Sequence, residues 1–294
     1  MYIQPLHEIR ASLAGGRSQG VEQTLIPSVR FFWGEQHVAR TPLVYPASIV
    51  LVGQGSKTGY LGESIFNYNE NNYLVVALPT PFECETFATP ENPLLGIIVD
   101  IEPVVLGNLL EVYTPTPPLS ESLCGVAPAV VSGSMQACVD RLIACLQNAE
   151  DCRVIGRELV RELIYHVLKG PHGAMLAKLA VQSRHNGTGK AISFIHHHYE
   201  KNLSVEKLAC IANMSPSVFH RTFKAVTGSS PLRYLKEIRL NKAKSLLVHE
   251  RLPISTVLKK VGYKSTSQFS REFKNYFGHS PSAAAKIAYS YIKQ

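Results

Sequence analysis

A pattern of thirteen residues near the C-terminus occurs twice, and the two copies start fifty residues apart. The copies occupy residues 219–231 and 269–281, and both follow F-x-R-x-F-K-x-x-x-G-x-S-P. Seven shared positions in one order indicate that a single structural unit has been duplicated. The last third of the chain must therefore contain two similar substructures.

Each copy of the pattern predicts a helix that ends in a tight turn. Ser215 is placed to cap the first helix, and Pro216 follows where a missing N–H costs nothing. Gly228 and Gly278 suit the left-handed residue that terminates a helix. Aromatic residues four positions apart place one face of each helix in a core. These residues are Phe219 and Phe223 in the first copy, and Phe269 and Phe273 in the second.

The opposite face of each helix is polar and cationic. A short predicted helix precedes each copy, at 204–211 and 255–261, so each half follows the helix-turn-helix pattern. Arginine can pair with guanine, glutamine with adenine, and serine, threonine and lysine with phosphate. A single copy could equally be an ordinary amphipathic helix with a solvated face, but its duplication favours DNA recognition. The candidate DNA-binding residues are Ser217, His220, Arg221, Lys224, Thr266, Ser267, Gln268, Ser270, Arg271 and Lys274.

Charge supports a polyanionic partner for the same region. Residues 186–294 contain 18 Lys+Arg and 5 Asp+Glu, a net charge of +13, whereas residues 1–185 carry a net charge of −5. A cationic surface gains free energy on nucleic acid because condensed counterions are released. A membrane would require a basic amphipathic helix with a bulky apolar face, and the sequence has none. Double-stranded DNA is therefore the predicted partner.

Residues 231–247 connect the two copies and predict one helix with an apolar stripe. Its length would be about 25 Å at roughly 1.5 Å per residue. Successive major-groove faces on one side of DNA lie about 34 Å apart. The connecting helix is thus predicted to set the separation of two DNA-reading helices.

These motifs resemble the AraC/XylS family of bacterial transcription regulators. The resemblance covers about residues 189–285 and rests on three stretches: Ser215–Pro231, Arg239–Leu247 and Val261–Lys274. It implies that two recognition helices enter adjacent major grooves. The base-facing positions of the family correspond to Ser217, His220, Arg221, Thr266, Ser267, Gln268, Ser270 and Arg271.

The N-terminal residues predict a small β-sandwich or barrel. The predicted strands are Val29–Trp33, Ser48–Gln54, Gly59–Ile65, Asn72–Ala77, Phe82–Thr86 and Leu94–Asp100. Parts of this stretch resemble the cupin-like effector domain of one AraC branch, which implies a pocket for a small-molecule effector of unknown identity. The candidate effector-binding residues are Trp33, Tyr45, Tyr60 and Tyr68.

A cupin-like barrel also raises the alternative of a metal enzyme fused to a DNA-binding domain. Metal cupins need clustered histidines and a carboxylate, whereas this region offers His37 alone. Cys84 lies between two glutamates in one strand and would face away from both, as a core residue. No metal, cofactor or enzymatic activity is predicted.

The middle of the chain predicts a linker at Gly107–Pro118, followed by apolar helices at about Ser134–Gln147, Arg153–Leu168 and Met175–Gln182. Their wide apolar stripes would pack on the barrel or on a second copy of the chain. A homodimer is therefore predicted, with the stripe around Leu163 at its interface.

The cysteine pattern indicates the cellular compartment, and the histidine pattern bears on metal binding. There are six cysteines without a CxxC pair, and no signal peptide or long apolar segment, which predicts a reduced, cytoplasmic setting. Cys138, Cys145 and Cys152 are either core residues, the favoured interpretation, or a redox sensor. Residues His196 to His198 point in three directions on a helix, so solvated or phosphate-facing side chains are favoured over a metal site.

The predicted fold class is α+β: a cupin-like barrel at 1–115, a helical linker and dimerisation segment at 116–185, and a tandem helix-turn-helix domain at 186–294. The predicted function is a one-component, sequence-specific DNA-binding transcription regulator, with RNA polymerase as a further partner. The alternatives are a cupin-type metal enzyme fused to a DNA-binding domain and a non-specific architectural DNA-binding protein. Neither the operator nor the direction of regulation follows from the sequence.

Overall fold

The chain divides into two compact units in a computed structural model that describes residues 3–115, 125–177, 187–248, 250 and 252–290. One unit comprises Met1–Arg40 and Tyr45–Val181, and the other comprises Thr41–Val44 and Gln182–Gln294. No helix in the described ranges combines the length and the apolar character needed to cross a membrane.

Two β-sheets form the centre of the first unit. The strands are β1 Gln19–Gln23, β2 Val29–Gly34, β3 Val38–Tyr45, β4 Ser48–Gln54, β5 Ser56–Leu61, β6 Ser64–Tyr68, β7 Asn72–Val76, β8 Thr80–Phe87, β9 Leu94–Asp100 and β10 Val126–Val130. The first sheet has the strand order β1-β2-β9-β4-β7-β10, and the second has the order β3-β8-β5-β6. Nearly every residue of β4 and β9 is buried, because the apolar run of each strand is covered on both faces.

The helices of the first unit are α1 Ile3–Ala14, α2 Pro103–Val112, α3 Gly133–Cys145, α4 Ala149–Val154 and α5 Gly156–Lys169. Helices α3 and α5 correspond to the two predicted apolar helices, and residues 173–177 begin the third. The rest of that third segment lies outside the described residues.

The apolar stripes that suggested a homodimer are already covered within one chain. Leu163 is fully buried on α5, and Leu142 on α3 is equally inaccessible. Helices α3 and α5 pack against each other along these residues. Among the described residues, the stripes on α3 and α5 are therefore paired within one chain, and the homodimer stays a prediction.

Two local predictions in this unit are wrong. The stretch Gly59–Ile65, predicted as one strand, is a hairpin that turns at Gly62, whose φ of +60° suits glycine. The predicted linker Gly107–Pro118 is helical as far as Val112, because α2 begins at Pro103 in the favourable first turn and buries Leu106 and Leu109. Residues 116–118 of that linker lie outside the described part of the chain.

Apart from Thr41–Val44, which belong to β3, the second unit is helical. Its helices are α6 Gly187–His198, α7 Val205–Ile211, α8 Pro216–Thr227, α9 Pro231–Val248, α10 Ile254–Lys260, α11 Thr266–Phe277 and α12 Pro281–Ser290. Helix α9 has 18 residues and is therefore about 27 Å long at roughly 1.5 Å per residue.

Helix α9 joins two similar halves. Near its start, the Tyr234 ring packs edge-on against Phe223 of α8, with ring centroids 5.3 Å apart. Near its end, Leu240, Ala243 and Leu247 share a core with Phe269 and Phe273 of α11. Each predicted recognition helix thus packs against a different end of α9.

The two halves are also fastened by the loop at residues 199–201. The Arg239 guanidinium of α9 donates hydrogen bonds to the carbonyl oxygens of Tyr199 and Lys201, at 2.7 and 2.8 Å. Gly262 has a φ of +77°, and a Cβ at this position would lie 2.2 Å from the carbonyl oxygen of Glu200. The second half therefore requires glycine where this loop approaches it.

Candidate nucleic-acid interface

The first helix-turn-helix consists of α7 and α8. The Ser204 hydroxyl caps α7 by accepting a hydrogen bond from the Lys207 N–H at 3.3 Å. Ser215 occupies the N-cap position of α8 with extended backbone, but its side chain makes no capping hydrogen bond and lies 3.4 Å from the Ser217 hydroxyl. The predicted cap is therefore present in position only, and Pro216 alone adapts the first turn.

The second helix-turn-helix consists of α10 and α11. Here Ser265, the counterpart of Ser215, accepts a hydrogen bond from the Gln268 N–H at 3.3 Å and completes the cap. Gly228 and Gly278 both adopt the left-handed conformation, with φ of +73° and +79°, and end α8 and α11 as predicted. The two recognition helices therefore end in the same way, but only α11 begins with a side-chain cap.

Burial places one face of each recognition helix outward. Phe219 and Phe223 on α8, like Phe269 and Phe273 on α11, are fully buried. Of the ten predicted DNA-binding residues, nine are exposed and Ser270 is half-buried. The exposed ones are Ser217, His220, Arg221, Lys224, Thr266, Ser267, Gln268, Arg271 and Lys274.

The cations on these faces are available to a ligand. Within the described residues, no ion pair to an acid involves Arg221 or Lys224 on α8, or Arg271 or Lys274 on α11. Exposed cations without a partner raise the local concentration of polyanions. Each helix therefore presents a guanidinium and an ammonium to solvent.

Of the two recognition helices, only α11 carries an acidic residue that forms a hydrogen bond with a candidate base-reading side chain. The Gln268 side-chain amide donates to Glu272 at 3.2 Å, and the Tyr263 hydroxyl donates to the other oxygen of that carboxylate at 2.8 Å. Burial and the Glu272 carboxylate raise the pKa of Tyr263, which keeps it a donor. Val218 and Thr222 occupy the corresponding positions of the first helix. The sequence analysis did not identify these two hydrogen bonds, although the i, i+4 spacing of Gln268 and Glu272 is compatible with the first of them.

Of the three consecutive histidines at the end of α6, His196 has a structural role. The His196 imidazole shares a hydrogen bond of 2.8 Å with the Tyr234 hydroxyl. Burial, followed by the charges of Lys242 and His197, lowers the pKa of His196 to about 4. The prediction that all three histidines are solvated or phosphate-facing is therefore wrong for His196, which is neutral and packed under α9.

In the first unit, the structure brings together two of the four candidate effector-binding residues. The hydroxyls of Tyr45 and Tyr68 lie 3.5 Å apart in the interior between the sheets. Tyr60 lies on the face of β5 that points away from this interior, and its hydroxyl donates a hydrogen bond to Glu85. Trp33 also faces elsewhere, and its indole N–H donates to the carbonyl oxygen of Arg17.

One group of side chains outside the sheets has the composition of a metal site. Ligand atoms of Cys138, Glu162 and His166 lie within 4.8 Å of one another. Burial raises the pKa of Cys138 to about 12, and Arg141 already pairs with Glu162. A metal requires a thiolate and free carboxylate oxygens, so this group is poorly suited to one.

The three cysteines at seven-residue intervals are all buried: Cys138, Cys145 and Cys152. Burial raises the pKa of Cys145 to about 12 as well. A thiol held in its protonated form reacts slowly with oxidants, so the structure agrees with three core residues.

Two helix-turn-helix units on one connecting helix define a class of DNA-binding protein, and comparison with known families narrows the class. Residues 25–175 match the model described as the N-terminus of AraC-type transcriptional regulators, and residues 208–287 match a helix-turn-helix domain. The chain belongs to the AraC-type transcriptional regulators.

Individual curated relatives match over shorter stretches of the chain. The lactose operon transcription activator of Staphylococcus xylosus is 38% identical over 87 residues, covering 30% of this chain and 31% of the relative. The regulator AlkR of Acinetobacter baylyi is 39% identical over 97 residues, covering 33% and 32%. The matched segment thus spans about a third of the length of these curated relatives.

The whole fold resembles that of a solved structure. Unsaturated fatty acid-bound ToxT from Vibrio cholerae strain SCE256 superposes with a TM-score of 0.64 at 11% identity, covering 92% of this chain and 95% of ToxT. An identity this low supports a shared fold, with an N-terminal β-sheet unit followed by a helical unit.

Proposed function

We propose that this chain is a one-component, sequence-specific DNA-binding transcription regulator whose N-terminal unit binds a small-molecule effector. In this proposal residues 1–115 bind the effector, residues 116–185 form a helical linker and dimerisation segment, and residues 186–294 bind operator DNA. Family membership supports the general role. The observation that carries the DNA-binding step is the pair of recognition helices, each with an unpaired cationic face, held at the two ends of α9.

The exposed side chains divide by the DNA groups they suit. Arg221 and Arg271 occupy equivalent positions and can each form two hydrogen bonds with guanine in the major groove. Gln268 has the amide that pairs with adenine. Lys224 and Lys274 lie one turn further along and suit phosphates, as do the hydroxyls of Ser217, Thr266, Ser267 and Ser270. His220 lies beside Arg221 on the same outward face.

A single chain carries both reading helices, so the proposal does not require a dimer for recognition of two grooves. A homodimer would double the number of half-sites, and light scattering of the purified protein measures its mass directly. Activation or repression from an operator further implies contact or competition with RNA polymerase.

The test is selection of bound duplexes from a random library, followed by titration of the selected operator with purified full-length protein. Arg221→Ala and Arg271→Ala should each cost about 1–3 kcal/mol and relax specificity at different base pairs. Arg161→Ala, an exposed arginine on α5, serves as the charge-matched control. Equal weakening on every sequence would contradict base reading, and a library without enrichment would indicate an architectural DNA-binding protein instead.

A further inference from the structure

The outward face of the first recognition helix carries one bulky apolar side chain. Val218 on α8 is 40% exposed. All residues of α8 and α11 are described, and no other branched aliphatic residue, phenylalanine or tyrosine on these two helices is exposed. The other apolar residues on this part of α8, Phe219 and Phe223, are fully buried. A single exposed hydrocarbon group thus lies beside the polar and cationic groups of α8.

The fifty-residue repeat makes Val218 the counterpart of Gln268. Each is the third residue of its helix, and each is exposed. In a helix-turn-helix, the N-terminal residues of the recognition helix contact the base edges. On α11 this position holds an amide that hydrogen-bonds to Glu272, whereas on α8 Thr222 replaces the acid and Val218 replaces the amide. The two helices therefore bring different chemistry to equivalent places.

Folding of the helix alone does not account for valine at this position. Valine is a poorer helix former than alanine, and an exposed valine removes little apolar surface from water. Its branched Cβ leaves one strongly preferred rotamer in a helix. The two methyl groups of Val218 are thus held in one direction before any contact forms, so a contact costs little side-chain entropy.

The major groove offers an exposed valine one favourable contact. Its base edges display hydrogen-bond donors and acceptors, and the C5-methyl of thymine is the apolar group among them. A valine placed against a donor or acceptor would remove water from that group without replacing the hydrogen bond. A valine at the base edges therefore favours thymine over the other bases.

Arg221 gives the expected position of this thymine. It follows Val218 by three residues, and side chains with that spacing are neighbours on a helix, with Cβ atoms about 5–6 Å apart. Bases along one DNA strand are about 3.4 Å apart. Val218 and Arg221 therefore reach positions within about two base pairs of each other.

We propose that Val218 is a specificity-determining residue that packs its methyl groups against the C5-methyl of one thymine in the half-site of the first helix-turn-helix. The inference rests on the proposed function, because it assigns a base contact within the DNA-binding step. The thymine lies close to the guanine that Arg221 contacts. The two half-sites are consequently unequal: Val218 selects thymine where the equivalent Gln268 selects adenine.

The first test removes the methyl group from the DNA. In the selected operator, each thymine in turn is replaced by deoxyuridine, which lacks only the C5-methyl, and the full-length protein is titrated with each duplex. One replacement, near the base pair at which Arg221→Ala relaxes specificity, should weaken wild-type binding about three- to fivefold, as expected for one buried methyl group.

The same duplexes are titrated with Val218→Ala. This variant should bind the thymine operator about three- to fivefold more weakly than the wild type, and it should bind the thymine and uracil duplexes equally. Alanine favours the helix, so the variant should keep its circular dichroism spectrum. Val104→Ala, at an exposed valine on α2, is the matched control and should keep the full response to the methyl group.

The second test exchanges the chemistry of the two helices. Val218→Gln gives α8 the amide that Gln268 provides on α11. It should lose the response to the methyl group and prefer adenine to thymine at that base pair by at least about fivefold. A Val218→Gln variant that keeps the thymine preference would overturn the proposal.

The uracil titrations also separate this inference from the proposed function. The inference is overturned if no uracil replacement weakens wild-type binding, if the sensitive thymine lies in the half-site read by Arg271, or if Val218→Ala still distinguishes thymine from uracil. Each of these results leaves sequence-specific DNA binding intact. A library without enrichment, or equal binding to every sequence, would instead reject the proposed function.

Discussion

The side-chain amide of Gln268 donates a hydrogen bond to Glu272 one helical turn away, and Glu272 is itself held by Tyr263. One amide hydrogen is thereby used within the protein. The other hydrogen and the amide oxygen stay available, and these are the two atoms that adenine requires. We therefore predict that Glu272 positions the Gln268 amide for base reading.

Glu272→Ala should release Gln268 and remove a negative charge from the DNA-facing helix. We expect general affinity for DNA to rise, because an acid near phosphates is repulsive, while discrimination at one base pair falls about three- to tenfold. Glu272→Gln keeps an acceptor for Gln268 and removes only the charge, so it should retain most of the discrimination. Competitive titration of the operator against its single-base variants measures both effects, and equal discrimination in wild type and Glu272→Ala would refute the positioning role.

Lys224 should act through phosphate rather than through base identity. Its replacement by alanine removes one phosphate contact, so the slope of log affinity against log salt concentration should become less steep by about 0.9. Affinity should fall by a similar factor on every sequence. Lys169→Ala in the first unit is the matched control and should leave the slope unchanged. Titrations at several salt concentrations provide the measurement, and a sequence-dependent loss would assign Lys224 to base reading.

Gly262 and Gly278 have nearly the same left-handed backbone, with φ of +77° and +79°, but different surroundings. A Cβ at Gly278 meets no atom within 4 Å, whereas a Cβ at Gly262 would clash with the Glu200 carbonyl. Gly278→Ala should therefore cost about 1 kcal/mol from backbone strain alone. Gly262→Ala should cost at least about 2–3 kcal/mol, because the loop must also move. Urea denaturation followed by circular dichroism compares the two, and equal losses would contradict the close approach at Gly262.

His196 should make the helical unit sensitive to mild acid. Its pKa in the folded state is about 4, below the ordinary value of 6.5, so the unfolded chain takes up the proton first as the pH falls. The stability is complete above about pH 6.5 and is lost progressively down to about pH 4. Between pH 7.5 and 5 the loss should approach about 2 kcal/mol, at roughly 1.36 kcal/mol per pKa unit. His196→Gln should flatten this dependence in denaturation experiments, whereas His197→Gln at an exposed position should not.

The duplicated helices were predictable because their determinants are local. Phe219 and Phe223 are four residues apart, the terminating glycines follow at a fixed distance, and the same arrangement recurs fifty residues later. The apolar stripe of residues 231–247 is equally local and predicted the helix that connects the halves. Nothing in this reasoning depends on which distant strands pair.

The features that escaped prediction depend on distant contacts. Lys57 reads as a surface lysine in the sequence, and it acquires its surroundings only when β5 pairs with β6 and β8 and the second sheet brings Phe32 across the interior. The approach of Glu200 to Gly262 likewise joins two segments 62 residues apart in number. The helix at Pro103–Val112 was missed for a different reason, since the proline-rich residues after it suggested an extended path.

The fastening of residues 199–201 to Arg239 and Gly262 bears on the geometry of the target. A flexible joint would tolerate operators in which the two half-sites are separated by different numbers of base pairs. Here the loop at residues 199–201 contacts Arg239 and Gly262, which restrains the connection between the two helix-turn-helix units. One inserted base pair would turn the second half-site by about 35° around the duplex axis, so the second recognition helix would no longer face it. We therefore expect binding to depend on the rotational phase of the two half-sites as strongly as on their base sequence.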